Sequence, residues 1–160
     1  MTSLPAVVSE EQWLDGTGGL RIFTRHWPAS SPKASIVICH GVNSHGGQYL
    51  RAAENFAERG FPVTALDLRG RGKSDGERFY VESVGDYVSD LSQTIEQARA
   101  RHPELPLFLL GHSAGGVTAA SYALDYQERI DGLICESFAF RVFAPDIALA
   151  ALKGASHIAP

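Results

Sequence analysis

An α/β fold built on a mostly parallel sheet with flanking helices is predicted by three features of the sequence. Short, continuous apolar runs recur at 34–39, 61–67, 107–110 and 132–135, the pattern of strands buried on both faces. Segments with helical spacing separate them, at 47–59, 83–101 and 114–126. Polar positions stand at or just beyond the ends of three of the runs: His40-Gly41, Asp67 and Ser113. In a parallel sheet, active residues gather at the carboxyl ends of strands.

The elements follow in order. Residues 1–10 are a lead-in. Residues 11–15 and 20–27 read as two strands joined by the turn Gly16-Thr17-Gly18-Gly19. After a polar loop comes the strand at 34–39, then a helix whose apolar residues are Tyr49, Leu50, Ala53, Phe56 and Ala57. Gly60 and Pro62 stop that helix. The strand at 61–67 leads to a glycine-rich loop, Arg69 to Gly76. The longest helix opens at Ser83, with Asp86 three residues on as a short-armed capping box. Its stripe is Val84, Tyr87, Val88, Leu91 and Ile95. The strands at 107–110 and 132–135 flank a small-residue helix, and residues 144–153 read as helical.

Composition bounds the function. The chain has 160 residues, 44% of them apolar and 20% charged, which suits one globular domain with a real core. Its net charge of −4, without a basic run, speaks against nucleic acid and against a polybasic membrane anchor. No apolar stretch reaches bilayer length, so no transmembrane segment is expected. The first residues lack the basic and apolar regions of a signal peptide, so a cytoplasmic location is expected. Cys39 and Cys135 each close an apolar run. They read as buried, reduced core residues whose strands are separated by another strand.

The most informative stretch is Gly111-His112-Ser113-Ala114-Gly115-Gly116, a G-x-S-x-G sequence set between a strand and a helix. That context raises a serine hydroxyl above the sheet on a very tight turn. Gly111 and Gly115 are needed because a Cβ there would collide with neighbouring elements. Ser113 is the candidate nucleophile. An acyl-transfer serine also needs an oxyanion hole. The N–H of Ala114 is one candidate donor; the N–H of Val42, in the loop that Gly41 opens after His40, is the other. The loop from Asp67 to Ser74 lacks the spacing of a phosphate cradle, so Asp67 and Arg69 are read as fixing a turn.

Three sets of residues together resemble the monoacylglycerol lipase and lysophospholipase group of α/β-hydrolases. They are His40-Gly41 with His45 and Tyr49, Asp67 with Gly70 to Arg78, and Gly111 to Gly116. The resemblance covers roughly residues 11–140. It implies a serine hydrolase that cleaves carboxylic esters such as monoacylglycerols, with neither metal nor organic cofactor. Ser113 would be its nucleophile, and Val42 and Ala114 its oxyanion hole. His40, Gly41, His45, Gly111, His112 and Gly115 would support the motif. Asn43 stands where the group often has glycine, and Gln48 where it often has arginine.

The resemblance also implies residues 1–137 as the N-terminal part of the hydrolase core, truncated after about the sixth strand, and 138–160 as the start of a cap. In that group the catalytic Asp and His lie further on, so a complementary C-terminal polypeptide is the expected partner, beside the acyl ester substrate. A compressed triad of Ser113, Glu136 and His157 has the right order, but His157 is not placed behind a sheet strand. Two further readings stay open: an inactive α/β module used for binding, and a carbon–carbon hydrolase or acyltransferase that shares the elbow.

Overall fold

The computed structural model describes residues 8–138. Six strands form one sheet: β1 (Glu10–Asp15), β2 (Arg21–Trp27), β3 (Ser35–Cys39), β4 (Val63–Leu66), β5 (Leu107–His112) and β6 (Gly132–Glu136). Their order is β1-β2-β4-β3-β5-β6. β1 and β2 form an antiparallel hairpin, and β2 runs antiparallel to β4. From β4 through β3 and β5 to β6 every pairing is parallel. The mostly parallel α/β sheet is therefore the one the apolar runs predict.

Helices α1 (Leu50–Glu58), α2 (Val84–Arg101) and α3 (Ala114–Asp125) cover the sheet. The alternation along β3 shows why Ile36 to Cys39 are all apolar. Val37 and Cys39 pack with Leu91 and Ile95 of α2 and Ala119 and Tyr122 of α3, whereas Ile36 and Ile38 pack with Ala53 and Ala57 of α1. Each of these four side chains meets a helix layer, which favours apolar residues from Ile36 to Cys39.

The chain leaves β3 through α1 to β4, then crosses back through α2 to β5 on the other side of β3. The carboxyl ends of β3 and β5 are thus neighbours at the point where the winding reverses. That crevice is where ligands bind in open α/β sheets.

Local details differ from the sequence expectations. The 47–59 helix begins with a 3₁₀ turn, Gly46–Tyr49, in which His45 Nδ1 accepts the Gly47 N–H at 3.1 Å. A 3₁₀ turn at Thr17–Gly19 also sits in the β1–β2 connection. At Ser83 the capping box forms, with the Ser83 N–H donating to the Asp86 carboxylate at 3.1 Å. Both cysteines are free. β5 lies between their strands, and burial pushes the Cys39 thiol up to about 12. Cys135 corrects the expectation of burial: it is only half-buried, because β6 has no outer neighbour among the described residues. The expected helix at 144–153, the cap and His157 lie outside the described residues.

Candidate active site

Ser113 links β5 to α3 with φ 53° and ψ −120°. A positive φ is uncommon for a residue with a side chain and marks a strained turn. The turn survives because its neighbours have no side chains to obstruct it. A Cβ on Gly111 would lie 2.6 Å from the Gly115 carbonyl oxygen and 2.7 Å from Ala119 Cβ. One on Gly115 would overlap the carbonyl oxygens of Cys39 and His40. The Ser113 N–H donates to the Glu136 carbonyl at 2.9 Å, which ties the turn to β6.

Gly41 faces this turn from β3, and a Cβ there would come within 3.1 Å of Ser113 Cβ. The loop it opens is held by His40, which is fully buried. His40 Nδ1 lies 2.7 Å from the Gly41 carbonyl and must donate to it, while Nε2 accepts the Leu68 N–H at 2.9 Å. Both bonds require the neutral ring. Burial lowers the His40 pKa to about 4, so neutrality holds at ordinary pH. Asn43, the position where the resembled group often has glycine, has φ 52°. Asparagine adopts that left-handed conformation more readily than most residues, so the loop keeps its turn. Gln48, in place of arginine, accepts the Ser44 hydroxyl at 2.7 Å.

Two pockets meet at the Gly41–Val42 loop. One, of about 440 Å³, contains Ser113, His112, Tyr49, Gln48 and Glu136. The other, of about 190 Å³, is more apolar and is walled by Leu68, Arg71, Val84, Tyr87, Ala114 and Val117. Val42 and Ala114 both line the second pocket, and neither backbone N–H has a hydrogen-bond partner among the described residues. Two free donors beside a strained serine can stabilise an oxyanion.

The other singled-out residues support this frame. His112 Nδ1 lies 2.9 Å from the Tyr49 hydroxyl, and its Nε2 lies 3.5 Å from a Glu136 carboxylate oxygen. Among the described residues, Glu136 therefore faces His112. Among the described residues no histidine nitrogen is within hydrogen-bond distance of Ser113 Oγ. Asp67, fully buried, accepts from Arg25 Nη1 at 2.8 Å, the Gly46 N–H at 2.7 Å and the Lys73 N–H at 2.8 Å. It braces the two loops beside the pocket. Arg69 does more than fix its own turn: Nε and Nη2 bind the buried Asp90 of α2, each at 2.7 Å, and Nη2 also meets Thr17 at 2.6 Å. The sequence reading missed Asp90. Its only signal was a carboxylate one turn past the capping pair, near the apolar stripe. Among the described residues no His, Cys, Asp and Glu cluster could hold a metal, and no helix is long and apolar enough to cross a membrane.

Residues 30–160 match the family described as Serine aminopeptidase, S33. A monoacylglycerol lipase of Mycolicibacterium smegmatis is 35% identical over 120 residues, covering 74% of this chain and 43% of that protein. A human monoglyceride lipase is 36% identical over 117 residues, covering 72% of this chain and 39% of that one. Phospholipase YtpA of Bacillus subtilis is 36% identical over 112 residues, 69% of this chain and 42% of its own length. The chain thus spans about two fifths of the length of these relatives. Among solved structures, a thermostable carboxyl esterase of Bacillus coagulans in complex with glycerol superposes with a TM-score of 0.82 at 24% identity, over 93% of this chain and 50% of that one.

Proposed function

Because the chain belongs to the Serine aminopeptidase, S33 family of α/β-hydrolases, we propose that it carries the nucleophile half of a serine ester hydrolase acting on monoacylglycerols or similar acyl esters. The observation that carries this reading is the strained Ser113, set beside two unengaged N–H groups at the switch point of the sheet.

In the mechanism, Ser113 Oγ attacks the ester carbonyl. The Val42 and Ala114 N–H groups, helped by the α3 N-terminus, hold the oxyanion. The alcohol leaves with a proton, an acyl-enzyme remains, and water releases the acid and regenerates Ser113. Acyl transfer to serine needs neither metal nor organic cofactor. The general base and its orienting acid come from a complementary C-terminal part, since no described histidine nitrogen lies within hydrogen-bond distance of Ser113 Oγ. Residues 138–160 begin the cap over the core formed by 1–137, and the enzyme works in the cytoplasm. His40, Gly41, His45, Gly111, His112 and Gly115 act by shaping the two loops.

Hydrolysis of a monoacylglycerol against a short-chain aryl ester tests the reading. Ser113→Ala should lower kcat by about 10⁴-fold or more with the fold unchanged. Equal rates for wild type and variant would refute it.

A further inference from the structure

Arg71 is buried, at 7% exposure, yet no carboxylate lies within ion-pair distance of it among the described residues. Among the described residues its guanidinium makes one hydrogen bond, from Nη1 to the adjacent Gly70 carbonyl at 3.4 Å, too long to satisfy it. Arg25 and Arg69, similarly buried, each have a carboxylate at 2.8 or 2.7 Å. A buried charge without a partner is costly and is normally retained for a reason.

The guanidinium stands in the wall between two cavities. One is the apolar pocket beside Val42 and Ala114. The other, of about 420 Å³, is lined by Asn43, Ser44, His45, Arg71, Arg78 and Phe79 and includes no acidic side chain. Arg78 likewise has no carboxylate within ion-pair distance among the described residues; its nitrogens bind the Gly72 and Ser74 carbonyls at 3.1 and 3.0 Å. Phe79 fixes the geometry. It holds a left-handed φ of 64° while 67% exposed, and its ring lies 4.6 Å from the Arg71 guanidinium carbon. A strained, exposed aromatic over a buried cation orients that cation toward the cavity without neutralising it.

We propose that this second cavity is an anion subsite, anchored by Arg71, that receives the phosphate or carboxylate carried by an acyl ester whose carbonyl sits at Ser113. The guanidinium fork suits an oxyanion with two or more oxygens. The Asn43 amide and the Arg78 guanidinium add donors at the rim. This inference rests on the ester-hydrolase reading and extends its substrates from neutral acylglycerols to acyl esters that carry an anion.

Equilibrium titration tests it without catalysis, so its outcome is separable from that of the hydrolase reading, which covalent labelling of Ser113 reports in parallel. Hexyl phosphate, hexanoate, hexanol and inorganic phosphate would be titrated calorimetrically into wild type, Arg71→Met and Arg71→Lys. Hexyl phosphate or hexanoate should bind about tenfold or more tightly than hexanol to wild type, and that preference should vanish in Arg71→Met and partly persist in Arg71→Lys. The tighter of the two anions identifies the group recognised. Inorganic phosphate should displace it in wild type and fail to bind Arg71→Met. Circular dichroism checks each fold; if Arg71→Met does not fold, weaker anion binding by folded Arg71→Lys carries the same decision. Equal binding of anion and alcohol by wild type would overturn the proposal. So would a preference that survives the loss of the guanidinium, which would place the anion at the Val42 and Ala114 N–H groups instead.

Discussion

Asn43 and Gly41 show how single residues shape the loop after β3, the proposed oxyanion loop. Asn43 holds φ 52°. A β-branched residue there, as in Asn43→Val, should cost about 1–2 kcal/mol, while Asn43→Gly should be neutral or slightly stabilising. Denaturant melts would show both. Gly41→Ala should leave stability less affected than activity, because its Cβ presses on Ser113 Cβ at 3.1 Å and on the His112 carbonyl at 3.2 Å. A displaced donor costs about 10²–10³ in kcat, read in the ester assay.

Two buried histidines give a pH dependence. Burial lowers both His26 and His40 to about 4, and Arg101 adds to the effect at His26. The folded state therefore prefers their neutral forms. The stability they contribute is fully present above the ordinary histidine value of about 6.5 and is lost as pH falls from there to about 4, on the order of 3 kcal/mol for each. Melts between pH 7 and 5 should be steeper for wild type than for His26→Gln; identical slopes would contradict this origin.

At the scale of elements, α2 is fastened to the rest of the fold by the buried Arg69–Asp90 pair. Arg69→Ala should cost about 3–5 kcal/mol, since it strands the Asp90 carboxylate, while Arg69→Met with Asp90→Leu should cost less than that single change. A double-mutant cycle by chemical denaturation checks this. The helix itself was legible in the sequence: Ser83, Asp86 and the stripe through Leu91 and Ile95 mark its start and its inner face. The pair was not, because its residues are 21 positions apart and nothing local distinguishes Asp90 from an exposed helix carboxylate. The same holds at the site. Ser113 was legible because the strand, turn and helix around it are contiguous in sequence. The bracing role of Asp67, which binds Arg25 of β2, Gly46 and Lys73, and the lack of a carboxylate beside Arg71 among the described residues depend on what lies nearby in space.

Across the whole molecule, the sheet order places the ends of β3 and β5 side by side, so the fold brings together Val42 and Ser113, the proposed oxyanion donor and nucleophile, from segments some 70 residues apart. On β6, an edge strand among the described residues, Leu133 and Ile134 are 39% and 45% exposed. Such an edge pairs readily with another chain. Ile134→Lys should therefore reduce concentration-dependent association in analytical ultracentrifugation, whereas an unchanged sedimentation profile would show that this edge does not drive association. The central claim, that Ser113 is an activated nucleophile completed by a C-terminal part, is tested most directly by a denaturing intact-mass spectrum of the protein from its native host after fluorophosphonate treatment. The account predicts one adduct on the polypeptide that carries Ser113, absent from Ser113→Ala. A folded protein without the adduct would contradict it and favour an inert binding module.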